Sequence, residues 1–210
     1  ISKNASIKNV KFESCSATYV APSEGYAVYE VKFGFVAAFN YGTITGCTFS
    51  ENKINIDANT KVSDQFVYVG IAVCENYGTI SGCTSNLNEI NIDSDTVDAD
   101  NNNADDKSTV AVAGGICAYN QSGGTISGCI ATNNTIITRA CYLADEGEDV
   151  KAVSGGMIAF QYGVEYGNTA QGNHLTALKR YYTISWSWGK AKVKFGGDTS
   201  GDAQQLYART

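Results

Sequence analysis

Apolar and polar residues alternate along much of this chain in short runs. Thr43-Ile44-Thr45 and Lys53-Ile54-Asn55-Ile56 place isoleucine at every second position, which is the period of a β-strand with one buried face. Long segments with the period of an amphipathic helix are missing. Clusters of Asn and Gly, which are typical of turns, separate the runs. The pattern predicts an all-β fold of short strands.

One motif recurs along the chain. Its copies are YGTITGC at 41–47, YGTISGC at 77–83 and GGTISGC at 123–129. The isoleucines at the motif centre are Ile44, Ile80 and Ile126, and Ile7 marks a degenerate earlier copy. Similar segments in a fixed register indicate a solenoid, in which each repeat packs on the next one.

Residues after the motif align between copies without a gap. The aligned cysteines are Cys47, Cys83 and Cys129, and the aligned asparagines are Asn52, Asn88, Asn134 and Asn173. Equivalent strands of successive coils lie about 4.8 Å apart, so each inward side chain stacks on its own copy. We therefore expect an aliphatic ladder of Ile44, Ile80 and Ile126, a ladder of buried thiols, and an amide ladder at a corner.

The repeat predicts a right-handed parallel β-helix of about four to five coils over residues 1–178, with three short strands in each coil. Residues 179–210 share no pattern with it. Within them, alternation over 181–195 predicts a β-hairpin that turns at Gly189-Lys190. The hairpin either caps the last coil, whose open edge would otherwise pair with other chains, or begins a further module. Trp186 and Trp188 would alternatively form a docking surface.

The segments GFVAAFNYGTITGC, GIAVCENYGTISGC and GGICAYNQSGGTISGC resemble GLUG-type repeats, and the resemblance covers residues 34–177. Such repeats occur in secreted and surface-attached bacterial proteins, including adhesin-like ones. The resemblance implies an extracellular or cell-surface β-helix that serves as a structural stalk or an adhesion module. Its partners would be a glycan or a protein at the cell surface, or further domains of the same polypeptide. Long acidic insertions depart from the repeat pattern.

Charge and cysteine content narrow the function. Residues 1–178 hold 9 Lys and Arg against 19 Asp and Glu, whereas 179–210 hold 6 against 2. An acidic body argues against a nucleic-acid partner, and no apolar run is long enough to span a membrane. The cysteines lack CxxC spacing, so zinc and redox sites are poorly supported. We expect buried, reduced thiols.

Two surfaces are candidates for binding. An aromatic stripe is formed by Phe39, Tyr41, Tyr77, Tyr119, Phe160 and Tyr162. It would stack on sugar rings or bury against a protein, or else pack under neighbouring turns. Insertions at 57–65, 93–109 and 139–150 leave the same corner of the coils and would form a ridge of loops.

Metal binding and catalysis have little support. Asp98, Asp100 and Asn102 have the spacing that begins a calcium loop, but Asn103 stands where glycine is needed. We predict no cofactor, with a weak calcium site there as the alternative. His174 is the only histidine, and we predict that the protein is not an enzyme. A polysaccharide-degrading β-helix enzyme is the alternative, although Glu51, Glu75, Glu89 and Glu165 fall in different columns and form no catalytic pair.

Hydroxyl residues suggest one more alternative. Thr43 and Thr45, Thr79 and Ser81, and Thr125 and Ser127 would point outward in rows. Such rows resemble those of ice-binding solenoids. The same pattern of Thr and Ser is, however, also ordinary for this type of repeat.

Overall fold

A computed structural model describes residues 1–21, 29–58, 65–94, 109–143, 150–187 and 190–209. Within these ranges the chain forms strands and turns and no helix, so no helix there could cross a membrane. The prediction of an all-β fold is confirmed.

The strands are short and follow one another closely. The chain begins with β1 (Ser6–Lys8), β2 (Lys11–Glu13), β3 (Ser16–Val20), β4 (Tyr29–Phe33) and β5 (Ala37–Asn40). It continues with β6 (Thr43–Thr45), β7 (Thr48–Ser50), β8 (Lys53–Asp57), β9 (Gln65–Gly70) and β10 (Val73–Asn76). Next come β11 (Thr79–Ser81), β12 (Thr84–Asn86), β13 (Glu89–Ser94), β14 (Thr109–Gly114) and β15 (Cys117–Asn120).

The remaining strands continue the series to the C-terminal part of the chain. They are β16 (Thr125–Ser127), β17 (Ile130–Thr132), β18 (Thr135–Leu143), β19 (Lys151–Gly155), β20 (Ile158–Gln161), β21 (Val164–Tyr166) and β22 (Thr169–Gln171). The last four are β23 (His174–Ser187), β24 (Lys190–Ser200), β25 (Asp202–Gln204) and β26 (Tyr207–Arg209).

Apart from β23 and β24, the described strands pair with the equivalent strand of the next circuit and not with their neighbours in sequence. The five parallel stacks are β1-β6-β11-β16-β21, β2-β7-β12-β17-β22, β3-β8-β13-β18-β23, β4-β9-β14-β19-β25 and β5-β10-β15-β20-β26. This arrangement of stacked parallel sheets is a solenoid. The register pairs Ile44 with both Ile7 and Ile80, and Ile80 with Ile126.

The prediction of three strands in each coil is wrong, because the described residues alone form five stacks of strands, one strand of each stack per circuit. Two turns in each circuit account for part of this difference in strand number. Each turn contains a residue with positive φ, which ends one strand and begins the next. At the first turn these residues are Asn9, Gly46, Gly82, Gly128 and Gly167, with φ from 56° to 63°. At the second they are Ser14, Glu51, Leu87, Asn133 and Gly172, with φ from 52° to 66°.

A third bend divides the apolar segment of each circuit in two. It lies at Gly34, Gly70, Gly114 and Gly155, one glycine per circuit. A Cβ atom on Gly70 would lie 1.9 Å from the carbonyl oxygen of Val73, and one on Gly114 would lie 2.0 Å from that of Cys117. The bend is therefore too tight for any side chain.

Apolar side chains, most of them aliphatic, fill the interior. Ile44, Ile80, Ile126 and Phe49 are fully buried and belong to one continuous hydrophobic cluster. Cys47, Cys83 and Cys129 lie in the same cluster as unpaired thiols. The Sγ atoms of Cys83 and Cys129 each lie 3.5 Å from the carbonyl oxygen two residues earlier, so these thiols act as small, weakly polar core groups.

Burial predicts how the thiols react. Burial raises the pKa of Cys74 and of Cys117 well above the usual thiol range, so little of the reactive thiolate is present at pH 8. Cys15 is only half-buried. With iodoacetamide we expect Cys15 to be labelled at least about 100-fold faster than Cys74 or Cys117 in the native protein, since the latter must wait for local opening. Peptide mass spectrometry measures this, and equal native rates would contradict the buried placement.

The C-terminal strands β23 and β24 pair with each other at the edge of one of the stacked sheets. β24 pairs antiparallel with β23 from Leu178–Ser200 to Ser187–Lys190, and the tip at 188–189 lies outside the described residues. β23 also pairs in parallel with β18 as far as Leu143–Tyr182. The hairpin thus adds β24 to the edge of one sheet, while β25 and β26 cover the edges of two others.

Candidate functional site

The aromatic stripe occupies two adjacent columns. Strand register aligns Phe39, Glu75, Tyr119 and Phe160 on β5, β10, β15 and β20. Backbone hydrogen bonds between successive turns align Tyr41, Tyr77, Gln121 and Tyr162 beside them. Two polar residues, Glu75 and Gln121, therefore interrupt columns that are otherwise aromatic.

Five of the six stripe residues form two stacked groups. The rings of Tyr41 and Tyr77 stack at 4.8 Å between centroids. Tyr119 stacks on Phe160 at 4.7 Å, and Phe160 stacks on Tyr162 at 6.0 Å. The two groups lie on either side of the polar interruption.

Exposure of the stripe is uneven. Phe160 is 6% exposed, whereas Phe39 is 38%, Tyr41 50% and Tyr162 51% exposed. Part of the stripe is thus buried, and part is exposed to solvent.

An amide ladder holds the turns that carry this site. The Nδ2 atom of Asn40 donates to Oδ1 of Asn76 at 2.8 Å, Asn76 donates to Asn120 at 2.9 Å, and Asn120 donates to Oε1 of Gln161 at 3.1 Å. The three asparagines are fully buried. Because each amide is fixed from both sides, the following residues Tyr77 and Gln121 have fixed backbone positions.

The predicted ladder of Asn52, Asn88, Asn134 and Asn173 lies at a different corner. Its successive Nδ2–Oδ1 distances are 2.9, 3.0 and 3.0 Å, and Asn173 donates to Oε1 of Gln205 at 3.1 Å. Both ladders therefore end at a glutamine. The Nε2 atoms of Gln161 and Gln205 turn back to the carbonyl oxygens of Gly163 and Asn173, respectively.

A pocket of ≈ 240 Å³ lies at the polar interruption. It is lined by Glu30, Lys32, Tyr68, Glu75, Tyr119 and Gln121. These residues come from β4, β9, β10, β15 and the turn after β15, so the pocket joins two sheets across the glycine bend. A hydrophobic cluster separate from the main interior packs against Tyr68 and Tyr119, and its core includes Cys74, Val112 and Ala118. This cluster gives the pocket a rigid apolar support.

Hydrogen bonds fix the carboxylate of Glu75. Its Oε1 atom lies 3.0 Å from Nζ of Lys32, and its Oε2 atom accepts from the Tyr77 hydroxyl at 2.8 Å and from Nε2 of Gln121 at 3.0 Å. Glu75 is 8% exposed. Both oxygens are engaged, so Glu75 positions Lys32, Tyr77 and Gln121 around the pocket.

Lys32 lies between the carboxylates of Glu30 and Glu75. Its Nζ atom is also 2.8 Å from Oε1 of Glu30, and it lies 5.1 Å from the ring centroid of Phe39 and 5.8 Å from that of Tyr68. Burial by itself lowers the pKa of Lys32, but its hydrogen bonds to Glu30 and Glu75 outweigh burial, so its pKa is raised. Lys32 is therefore protonated and held in an aromatic and anionic surround.

The tyrosine hydroxyls of the pocket stay protonated. Burial, and then the charge of Glu30, raises the pKa of Tyr68 to about 12. The hydrogen bond to Glu75 raises the pKa of Tyr77 to about 12, and burial raises the pKa of Tyr119 further. At neutral pH Tyr68 and Tyr119 offer O–H donors in the lining of the pocket, whereas the O–H of Tyr77 is donated to Glu75. The rings of Tyr68 and Tyr119 meet edge to face at 5.3 Å.

Several predicted positions lie elsewhere. Asp98, Asp100 and Asn102 lie outside the described residues, as does much of the loop ridge. Among the residues that the structure describes, no group of three or more His, Cys, Asp and Glu could hold a metal ion. His174 is exposed at the start of β23. Glu89 pairs with Lys53 at 2.9 Å on another sheet.

The hydroxyl rows are placed on β6, β11 and β16 in the expected register. The hydroxyls of Thr45 and Ser81 hydrogen-bond to each other at 3.2 Å. Hydroxyls that satisfy one another in this way are less available to order water.

Sequence reasoning missed Glu30 and Lys32. Neither residue belongs to a repeated motif, and they meet Glu75 only because the register places Lys32 beside Tyr68. A signal for the pocket did exist: in the aligned copies, Glu75 and Gln121 replace aromatic residues. The second amide ladder also had a signal, since Asn40, Asn76 and Asn120 precede the turn in each copy.

No protein-family model matches this chain, and comparisons with curated proteins and with solved structures give no match either.

Proposed function

We propose that this protein is an extracellular or cell-surface solenoid of GLUG-type repeats that acts as a stalk or adhesion module and binds a glycan in the pocket beside Glu75. The observation that carries the proposal is the polar interruption of the aromatic columns. Where the copies of the repeat are alike, rings stack on rings; where they differ, a pocket opens between rings and hydrogen-bonding groups.

The chemistry of the pocket suits a sugar. A sugar ring has apolar C–H faces and an edge of hydroxyls, so it is bound by aromatic side chains together with a few well-placed polar groups. Tyr68 and Tyr119 supply the rings and O–H donors. Gln121 supplies an amide, and Glu30 supplies a carboxylate that accepts hydroxyl hydrogens.

The solenoid supports a structural role as well. We propose a right-handed β-helix of about four to five coils over 1–178, with the hairpin of 179–210 as its cap. Stacked parallel sheets with buried amide ladders suit a stiff spacer, and edge strand β24 shields part of the open end.

Binding is favoured over catalysis by the state of the pocket groups. Glu30 and Glu75 do approach each other, because both contact Nζ of Lys32. Glycoside hydrolysis, however, needs one carboxyl group that donates a proton and another that acts as nucleophile or base. Both oxygens of Glu75 are already engaged, and a tyrosine with a pKa of about 12 is a poor base for lyase chemistry. We therefore propose a protein that is not an enzyme.

A glycan array tests the proposal with the wild type, Tyr119→Ala and Gln121→Ala. We expect Tyr119→Ala to weaken binding at least about tenfold, since a lost stacking contact and a lost hydrogen bond together are worth more than 1 kcal/mol. Gln121→Ala should weaken it by a smaller factor. Circular dichroism checks that each variant is folded.

The matched control is Tyr166→Ala, since Tyr166 is 61% exposed and lies on β21, outside the pocket. This variant should bind like the wild type. If Tyr119→Ala binds as well as Tyr166→Ala, the pocket is not the glycan site. If the folded wild type binds no glycan, the proposed function is wrong.

A further inference from the structure

The pocket holds more negative than positive charge. Its charged lining groups are Glu30, Glu75 and Lys32. The ammonium of Lys32 has three N–H donors, and two of them already point to carboxylates at 2.8 and 3.0 Å. The positive charge of Lys32 is thus paired within the protein, and the three groups together keep a net charge of one carboxylate.

Glu30 is the more exposed of the two carboxylates that line the pocket. Its side chain is 50% exposed, and Oε1 contacts Lys32. In the part of the chain that the structure describes, no group donates a hydrogen bond to Oε2. Glu75, by contrast, is buried and its oxygens are engaged. Glu30 lines the pocket, so a ligand there approaches a carboxylate whose Oε2 atom has no donor among the described residues.

From this asymmetry we infer that the site selects glycans by charge: it accepts neutral and amine-bearing sugars and rejects sugars that carry carboxylate or sulfate groups. The inference rests on the proposed function and names the glycan class. An ammonium substituent on the sugar would pair with Oε2 of Glu30, as Lys32 does with Oε1. An anionic substituent would lie within a few ångströms of two carboxylates that share the single charge of Lys32, and this local excess of negative charge costs at least about tenfold in affinity at a protein surface.

Net charge acts in the same direction at longer range. The whole chain carries a formal net charge of −6, and most of the acids lie in the repeat body. Approach of a polyanion is therefore disfavoured before it reaches the pocket. Because this part of the effect is screened by salt, selectivity should fall as ionic strength rises, while the effect of Glu30 at close range persists.

The test compares wild type, Glu30→Gln and Glu89→Gln on an array of neutral, amine-bearing, and carboxylated or sulfated glycans. Glu89 is the matched control, since its side chain is 45% exposed, pairs with a lysine as Glu30 does, and lies on another sheet. For the wild type we expect the acidic members to bind at least about tenfold more weakly than the neutral and amine-bearing members. In Glu30→Gln the ratio of acidic to neutral binding should rise about tenfold, and the ratio of amine-bearing to neutral binding should fall. Glu89→Gln should keep the wild-type ratios.

The outcomes separate the two proposals. If the wild type binds acidic glycans as well as neutral ones, or if Glu30→Gln leaves both ratios unchanged, selection by charge is wrong and glycan binding stands. If no glycan of any class binds, the proposed function fails and the inference fails with it.

Discussion

Replacing Gly70 with alanine is expected to destabilise the fold by about 5 kcal/mol or more, which is within the range of total stability for a small domain. The new Cβ would lie 1.9 Å from the carbonyl oxygen of Val73 and 2.9 Å from Cα of Cys117. Both are backbone atoms of packed strands, so no side chain can rotate to make room. The bend would have to open, and the strands on either side would lose register.

Gly82→Ala is the matched control for this prediction. A Cβ at Gly82 meets no atom within 4 Å, but φ is +58°, so alanine there costs about 1–2 kcal/mol through backbone strain alone. Urea denaturation followed by circular dichroism measures both variants. Similar losses at the two glycines would show that the bend tolerates a side chain, contrary to the close backbone approach.

Asn88→Ala is expected to lower the free energy of unfolding by about 4 kcal/mol. Asn88 is 1% exposed, and its Oδ1 atom accepts from both the backbone N–H and Nδ2 of Asn52 at 2.9 Å. Its Nδ2 atom donates to the carbonyl oxygen of Phe49 and to Oδ1 of Asn134 at 3.0 Å. Alanine removes these four hydrogen bonds together. Nδ2 of Asn52 keeps the carbonyl oxygen of Phe12, and Oδ1 of Asn134 keeps the hydroxyl of Ser85, but the backbone N–H of Asn52 loses its acceptor. A buried group that loses its partner costs about 1–3 kcal/mol, and each further lost hydrogen bond adds to this.

Asn86→Ala provides the comparison two residues away. Asn86 is half-buried and accepts from Oγ1 of Thr132 and Nδ2 of Asn133, so water can replace its contacts and the loss should be about 1 kcal/mol or less. Thermal and urea unfolding of the two variants should differ clearly. If Asn88→Ala is no less stable than Asn86→Ala, the amide ladder contributes little to stability.

The repeat in the sequence predicted the ladders of side chains that stack from coil to coil. Ile44, Ile80 and Ile126 recur at aligned positions, and a strand that slipped by one residue would expose them. The same argument aligned Asn52 and Asn88, whose side chains hydrogen-bond to each other in the structure. Features that recur in every coil can be recognised in a single sequence, because its internal repeats can be aligned with one another.

What the repeat does not contain was harder to predict. The bend at Gly70 depends on how closely two backbone segments approach, and spacing alone does not reveal that distance. Glu30 and Glu75 are 45 residues apart and belong to different strands, so their meeting at Lys32 depends on three-dimensional register across two sheets. The sequence alone places Glu75 in a column without a second carboxylate.

The two amide ladders have a direction that bears on how such a protein changes length over evolution. Each interior asparagine accepts from the preceding coil and donates to the following one, so a duplicated repeat would join the ladder with every amide still satisfied. Among the described residues the ladders end at Gln161 and Gln205, whose Nε2 atoms donate to the carbonyl oxygens of Gly163 and Asn173. Growth by internal duplication therefore needs no new chemistry at the interior corners, and the reach of the molecule is free to vary in steps of one coil.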